Sequence, residues 1–183
     1  MLRTLTIVLF VGGFVAAAPP EPIGRSAALA KQLTAALTEQ RLEAIAAQDP
    51  GAPDRFVAAL FFPNAQLLVI SARYTSPASL QAKLTRKEYR DVYLDLQGAS
   101  VPNSSVFFQD MNADGLCSSR DQAADLLYNE SGAPTIFDGD WRKHNLSEQE
   151  YEQRLTAADE RYSQLLEILL AQQRGAQLTR SLQ

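Results

Sequence analysis

Two apolar runs set what this chain can fold into. Phe56-Val-Ala-Ala-Leu-Phe-Phe62 and Gln66-Leu-Leu-Val-Ile-Ser71 are apolar at nearly every position, not at every second one. A strand of that composition must be covered on both faces, because an open face would leave half its side chains in water. Pro63-Asn64-Ala65 separates the runs with turn chemistry, since proline presets φ and asparagine tolerates the following bend. The expectation is a hairpin at the centre of a sheet, with helices packed on both sides.

The flanking sequence supplies those helices. Ser26 reads as an N-cap for a helix running to about Gln48, with Leu29, Leu33, Leu37, Leu42 and Ile45 on its apolar side. Asp49-Pro50-Gly51-Ala52-Pro53 stops it. Ser76-Pro77 opens a crossover helix, serine at the N-cap and proline at the first helical position, with Leu80 and Leu84 facing the core. Tyr89 to Gln97 alternates as a half-exposed strand, and Ser105 to Gln109 forms another. A short helix is expected over Asp121 to Asn129 and a short strand over Thr135 to Phe137, followed by a tight acidic turn at Asp138 to Trp141. Ser147 and Glu150 then form a capping box for a long last helix. Tyr151, Leu155, Ala158, Tyr162, Leu165 and Leu169 recur along it at spacings of four and three, and Gly175 is its expected stop.

These elements define an α+β domain: a mostly antiparallel sheet of four to five strands with an N-terminal helix, a crossover helix and a long C-terminal helix. The domain is expected over residues 26–174, with 175–183 as a loose tail. The element order is also similar to that of split barrels that bind flavin mononucleotide. That similarity concerns order alone and by itself implies no ligand.

The N-terminus predicts export. Arg3 precedes an apolar run from Leu5 to Val15, and Ala16-Ala17-Ala18 offers small residues to a peptidase. Cleavage after Ala17 avoids placing Pro19 on the scissile bond, giving a signal peptide over 1–17 and an extended leader over 18–25. The apolar run is shorter than the roughly 20 residues a bilayer requires, so no stable span is expected after processing. Localisation is therefore periplasmic or extracellular. A net charge of −4 and a pI near 5.0 exclude general nucleic-acid binding, which needs a basic face. Cys117 is the only cysteine, so no internal disulfide can form. Two fates are open to it: burial as a small apolar group, or pairing with a second copy. The seam of the last helix offers a second route to a homo-oligomer, or else packs on the chain's own sheet.

The most specific motif is Asp110-Met-Asn112-Ala-Asp114-Gly115-Leu116-Cys117-Ser118-Ser119-Arg120-Asp121. Oxygen-bearing side chains stand at its first, third, fifth, ninth and twelfth positions, with glycine at the sixth. In local sequence it resembles an EF-hand calcium loop, and more closely the dockerin variant, which ends in aspartate. The resemblance covers twelve residues. It implies a calcium site with side-chain oxygens from Asp110, Asn112 and Asp114 and the backbone carbonyl of Leu116. Ser118 would act directly or through water, and Asp121 would close the cage. A short aspartate at the end implies weak affinity, on the order of 10⁻⁴ to 10⁻³ M. The chain departs from the family in having a strand, Val106 to Gln109, where an EF-hand has its entering helix. The other reading of the same residues is a strand ending in an Asx-type turn.

A second candidate is basic. Arg73, Lys83, Arg86, Lys87 and Arg90 cluster around the expected helix start at Ser76, an arrangement able to receive a flavin phosphate or another anionic ligand. As a helix face in solvent it would have no such role. No nucleophile elbow or paired acid and base stands out, so catalytic residues are not assigned. The sequence as a whole predicts an exported, non-enzymatic binding or structural module, with calcium as the candidate cofactor.

Overall fold

The computed structural model describes residues 24–62, 66–73, 77–88, 91, 106–117, 123–128 and 134–181. The expected signal peptide, the leader up to residue 23, the Pro63 to Ala65 turn, nearly all of the expected Tyr89 to Gln97 strand and residues 118–121 of the acidic motif lie outside them. In chain order the elements are α1 (Ser26–Glu39), β1 (Ala44–Asp49), β2 (Ala52–Phe61), β3 (Leu67–Arg73), α2 (Pro77–Thr85), β4 (Val106–Asp110), β5 (Asp125–Tyr128), β6 (Thr135–Phe137) and α3 (Glu148–Ser181). The fold is α+β with one antiparallel sheet of six strands, slightly more than the sequence predicted. The strands lie side by side in chain order, β1 at one edge and β6 at the other.

The hairpin of β2 and β3 sits where its composition requires. Val57 and Ala59 of β2, with Leu67 and Val69 of β3, face one side and pack with α1 and α3. Phe56, Ala58 and Leu60, with Leu68 and Ile70, face the other and pack with Leu80 of α2. Continuous apolar runs therefore feed two separate cores, as period-two alternation demands.

α1 is shorter than predicted. Gln40 ends it, Arg41 takes a left-handed φ of 56°, and Leu42 donates its N–H back to the Leu37 carbonyl at 2.8 Å while Arg41 donates to Thr38 at 3.1 Å. This is a Schellman end built without glycine. Ala44 to Asp49, expected as helix, instead pairs with β2 from Ala44↔Leu60 to Asp49↔Ala52. Pairing with an apolar strand outweighs the helix preference of its alanines. Asp49-Pro50-Gly51 is thus a hairpin turn, closed by the Gly51 N–H donating to Asp49 Oδ1 at 2.9 Å. The short helix expected over Asp121 to Asn129 is also corrected, since Asp125 to Tyr128 pairs with both β4 and β6 as a strand.

α3 carries the predicted capping box: Ser147 N–H donates to Glu150 at 2.8 Å, and Glu150 N–H donates to Ser147 Oγ at 3.2 Å. Its seam from Tyr151 to Leu169 is buried against the chain's own α1 and sheet. The helix does not stop at Gly175 but continues to Ser181. Trp141 packs over the edge of the same core, with Arg142 stacked on its ring at 4.0 Å.

Candidate cation site

Alternation along β4 decides where the acidic motif begins. Phe108 faces the α1–α3 core, so Asp110, two residues later, faces it too, opposite Leu67 of β3. Register in β5 does the same for Asp125, which stands opposite the buried Phe137 of β6. Two carboxylates thereby enter the helix-covered side of the sheet, and both residues are fully buried.

The chain after β4 wraps around them. Asp114 N–H and Gly115 N–H donate to Asp110 at 3.2 and 2.9 Å, and the Tyr162 hydroxyl, from α3, donates to it at 3.1 Å. Tyr162 is held in place by stacking on Phe108, ring centroids 4.9 Å apart. Asp125 receives Met111 N–H at 2.9 Å and Cys117 N–H at 3.0 Å. Ala113 and Gly115 adopt left-handed φ values of 57° and 90° to make the bend. Gly115 lies so close to the backbone of Ala27 and Ser26 in α1 that a Cβ would collide with it. The glycine is needed for its φ and for the approach.

The third carboxylate is less satisfied. Asp114 Oδ2 accepts Asn112 Nδ2 at 2.9 Å, but Asp114 Oδ1 is buried with no hydrogen-bond partner. Burial pushes Asp110 up to about 6, backbone donors pull against it, and the charge of Asp114 raises it further. Burial likewise lifts Asp125 to about 7, aided by the charge of Asp110, and raises Asp114. The Cys117 thiol is pushed up to about 12 by burial and the neighbouring aspartates, which keeps it a neutral thiol. Ligand-bearing atoms of Asp114, Cys117 and Asp125 all lie within 4.8 Å of one another. Among the described residues, no lysine or arginine forms an ion pair with any of the three aspartates.

These residues fit a hard divalent cation. Calcium takes six to eight oxygens at 2.3–2.6 Å, so its ligands lie up to about 5 Å apart, a spread that Asp114, Asp125 and the Cys117 sulfur meet. A cation would also complete the orphaned Asp114 oxygen. Asp114 and Asp125 are the carboxylates that would hold it, with Asp110, whose charge raises Asp125, beside them. A neutral thiol adds little to a calcium shell, which leaves the donor set one of oxygens.

The arrangement differs from the EF-hand expectation. The entering element is a strand, as the sequence indicated. Asn112 is exposed and turned onto Asp114, whereas Asp110 is turned inward onto its own loop. The Leu116 side chain is in the core and its N–H donates to Ser26 Oγ at 2.9 Å. Ser118 and Asp121 lie outside the described residues. The sequence reading missed Asp125, fifteen residues after Asp110, because it sat inside an expected helix. Tyr162 was seen only as an apolar seam residue, and Ser26 only as a cap.

Of the five basic candidates, three stand in ion pairs with acidic side chains. Arg73, at the end of β3, pairs with Asp54 at 2.9 Å, Arg86 pairs with Glu88 at 2.6 Å, and Lys87 reaches Glu43 of the β1 approach at 3.7 Å. Lys83 is half-buried on α2, and Ser76 and Arg90 lie outside the described residues. The acidic turn at Asp138 is likewise self-contained: Asp138 accepts from Lys143 Nζ at 2.9 Å, the Asp140 N–H at 3.1 Å and the His144 ring at 2.8 Å.

No helix among the described residues is long and apolar enough to cross a membrane. No protein-family model matches the chain, and neither do any curated protein or solved structure.

Proposed function

We propose that this chain is an exported, non-enzymatic binding or structural module whose β4–β5 loop takes up a divalent cation, calcium by preference, to brace the fold. The supporting observation is the buried, partnerless Asp114 Oδ1 beside two carboxylates whose ionised forms are opposed by burial and mutual repulsion. An aspartate cluster with no basic partner among the described residues is costly to keep ionised in a core, and a bound cation would offset that cost. Export, read from the N-terminal apolar run, would place the loop where calcium is plentiful and weak sites fill.

Melting in millimolar calcium and in chelator tests this. At a calcium concentration about ten times Kd, linkage predicts a rise of roughly 3–5 °C. Asp114→Asn, which removes one charge at a half-buried position, should melt normally in chelator and lose the calcium increment. Identical wild-type curves with and without calcium would overturn the proposal.

A further inference from the structure

We infer that Ser26 is the positioning residue through which the acidic loop and the start of α1 hold one another, so that a cation in the loop also fixes the N-terminal end of the domain against α3. This rests on the cation reading above.

Ser26 is fully buried at the first residue of α1, yet its side chain does not cap its own helix. Its hydroxyl donates to Asp159 Oδ1 of α3 and accepts the Leu116 N–H at 2.9 Å. Asp159 also receives the backbone N–H groups of Arg25 and Ser26, at 2.9 and 3.2 Å. An α3 carboxylate therefore satisfies two of the amides that the start of α1 leaves without intrahelical partners. Because a carboxylate only accepts, the Ser26 proton must point to Asp159, and the oxygen lone pairs are left for the loop. The hydroxyl thus has one orientation available.

On the loop side, three consecutive amides are held by three different side chains: Gly115 by Asp110, Leu116 by Ser26 and Cys117 by Asp125. Two of those holders are carboxylates of the acidic cluster, Asp125 as a ligand of the candidate site and Asp110 beside it, and the middle one is Ser26. Fixing the carboxylates fixes the amides on either side of Leu116, and so presents the Leu116 N–H to Ser26. The close approach of Gly115 to Ala27 makes the same junction rigid. By linkage the coupling is reciprocal: whatever cation binding contributes to docking of α1, docking contributes to cation binding.

The test is hydrogen exchange of residues 24–30 in the whole protein, in calcium chloride and in chelator, with calcium affinity measured on Ser26→Ala and Asp159→Asn. The expected result is about tenfold slower exchange of these amides in calcium, and about tenfold weaker calcium binding in each variant. Unchanged exchange at 24–30 in a protein that calcium does stabilise would overturn the coupling and leave the cation site standing. So would variants that lose stability equally in calcium and chelator while keeping wild-type affinity. Should Ser26→Ala and Asp159→Asn fail to fold, the wild-type exchange measurement decides alone. Should calcium leave wild-type melting unchanged, the cation reading fails first and the coupling falls with it.

Discussion

Two acidic turns of similar composition follow opposite physical courses. The loop after β4 carries Asp110, Asn112, Asp114 and Gly115; the turn after β6 carries Asp138, Gly139 and Asp140. Around Asp110 and Asp125 the carboxylates face a core, receive backbone amides and a tyrosine, and are raised toward neutrality. At Asp138 burial also opposes ionisation, but the Lys143 ammonium, the His144 ring and the Asp140 amide outweigh it and hold the carboxyl well below the usual range. Sequence acidity is the same in both. What differs is whether a cation stands within reach: among the described residues, none pairs with the aspartates of the first turn.

The largest difference should lie in the glycines. Gly115→Ala meets both a φ of 90° and the α1 backbone, and should cost about 3–5 kcal/mol. Gly139→Ala meets a φ of 72° and should cost about 1 kcal/mol. Denaturant midpoints compare them, and equal losses would mean that the loop does not press on α1.

Acid and alkali should then act on the two turns in opposite directions. Asp110 and Asp125 have folded values, about 6 and 7, above the roughly 3.9 of a free aspartate, so the folded state holds their protons more tightly. Their contribution is fully present below about pH 4 and is lost as pH rises through 6 and 7. For Asp138 the folded value is depressed, so its contribution is present above the ordinary carboxylate range and is lost on acidification below about pH 4. In chelator, melting should therefore decline from about pH 5 to 8, and Asp125→Asn should flatten that decline. A melting temperature climbing across the same interval would contradict the buried carboxylates.

The smallest contrast removes one donor from each carboxylate. Tyr162→Phe deletes a buried hydroxyl on Asp110 while keeping its ring on Phe108, and should cost about 1–2 kcal/mol. Lys143→Ala deletes an exposed ammonium from Asp138, where solvent and salt already screen the pair, and should leave melting within scatter of wild type. A larger loss at Lys143 than at Tyr162 would reverse the comparison.

How far the sequence discloses this structure varies with the kind of signal each residue carries. The β2–β3 hairpin and the α3 seam are written in hydrophobic spacing, which tertiary packing reinforces, and both were legible. β1 was not, because Ala44, Ala46 and Ala47 favour a helix and Arg41 makes the left-handed stop that glycine would have announced. Misreading β5 had the wider consequence: as a helix its Asp125 belongs to no site, whereas as a strand opposite Phe137 it must enter the core beside Asp110. The motif at Asp110 to Gly115 was visible as a local pattern. Its partners Ser26, Asp125, Asp159 and Tyr162 were not, since hydrogen bonds between residues as many as 133 positions apart leave no spacing to read.

The arrangement of the helices also sets an order of events during synthesis. Each strand pairs with its neighbour in the sequence, so the sheet can zip up from one end as the polypeptide lengthens. α1 packs against α3, which follows every strand in chain order, and the Asp159 that caps its first turn comes with it. Until α3 has been made through Tyr162 and Leu169, one side of the sheet lacks the helix that covers it and the acidic loop its tyrosine. Closure of that side of the sheet therefore waits on α3, long after the strands it covers have been made.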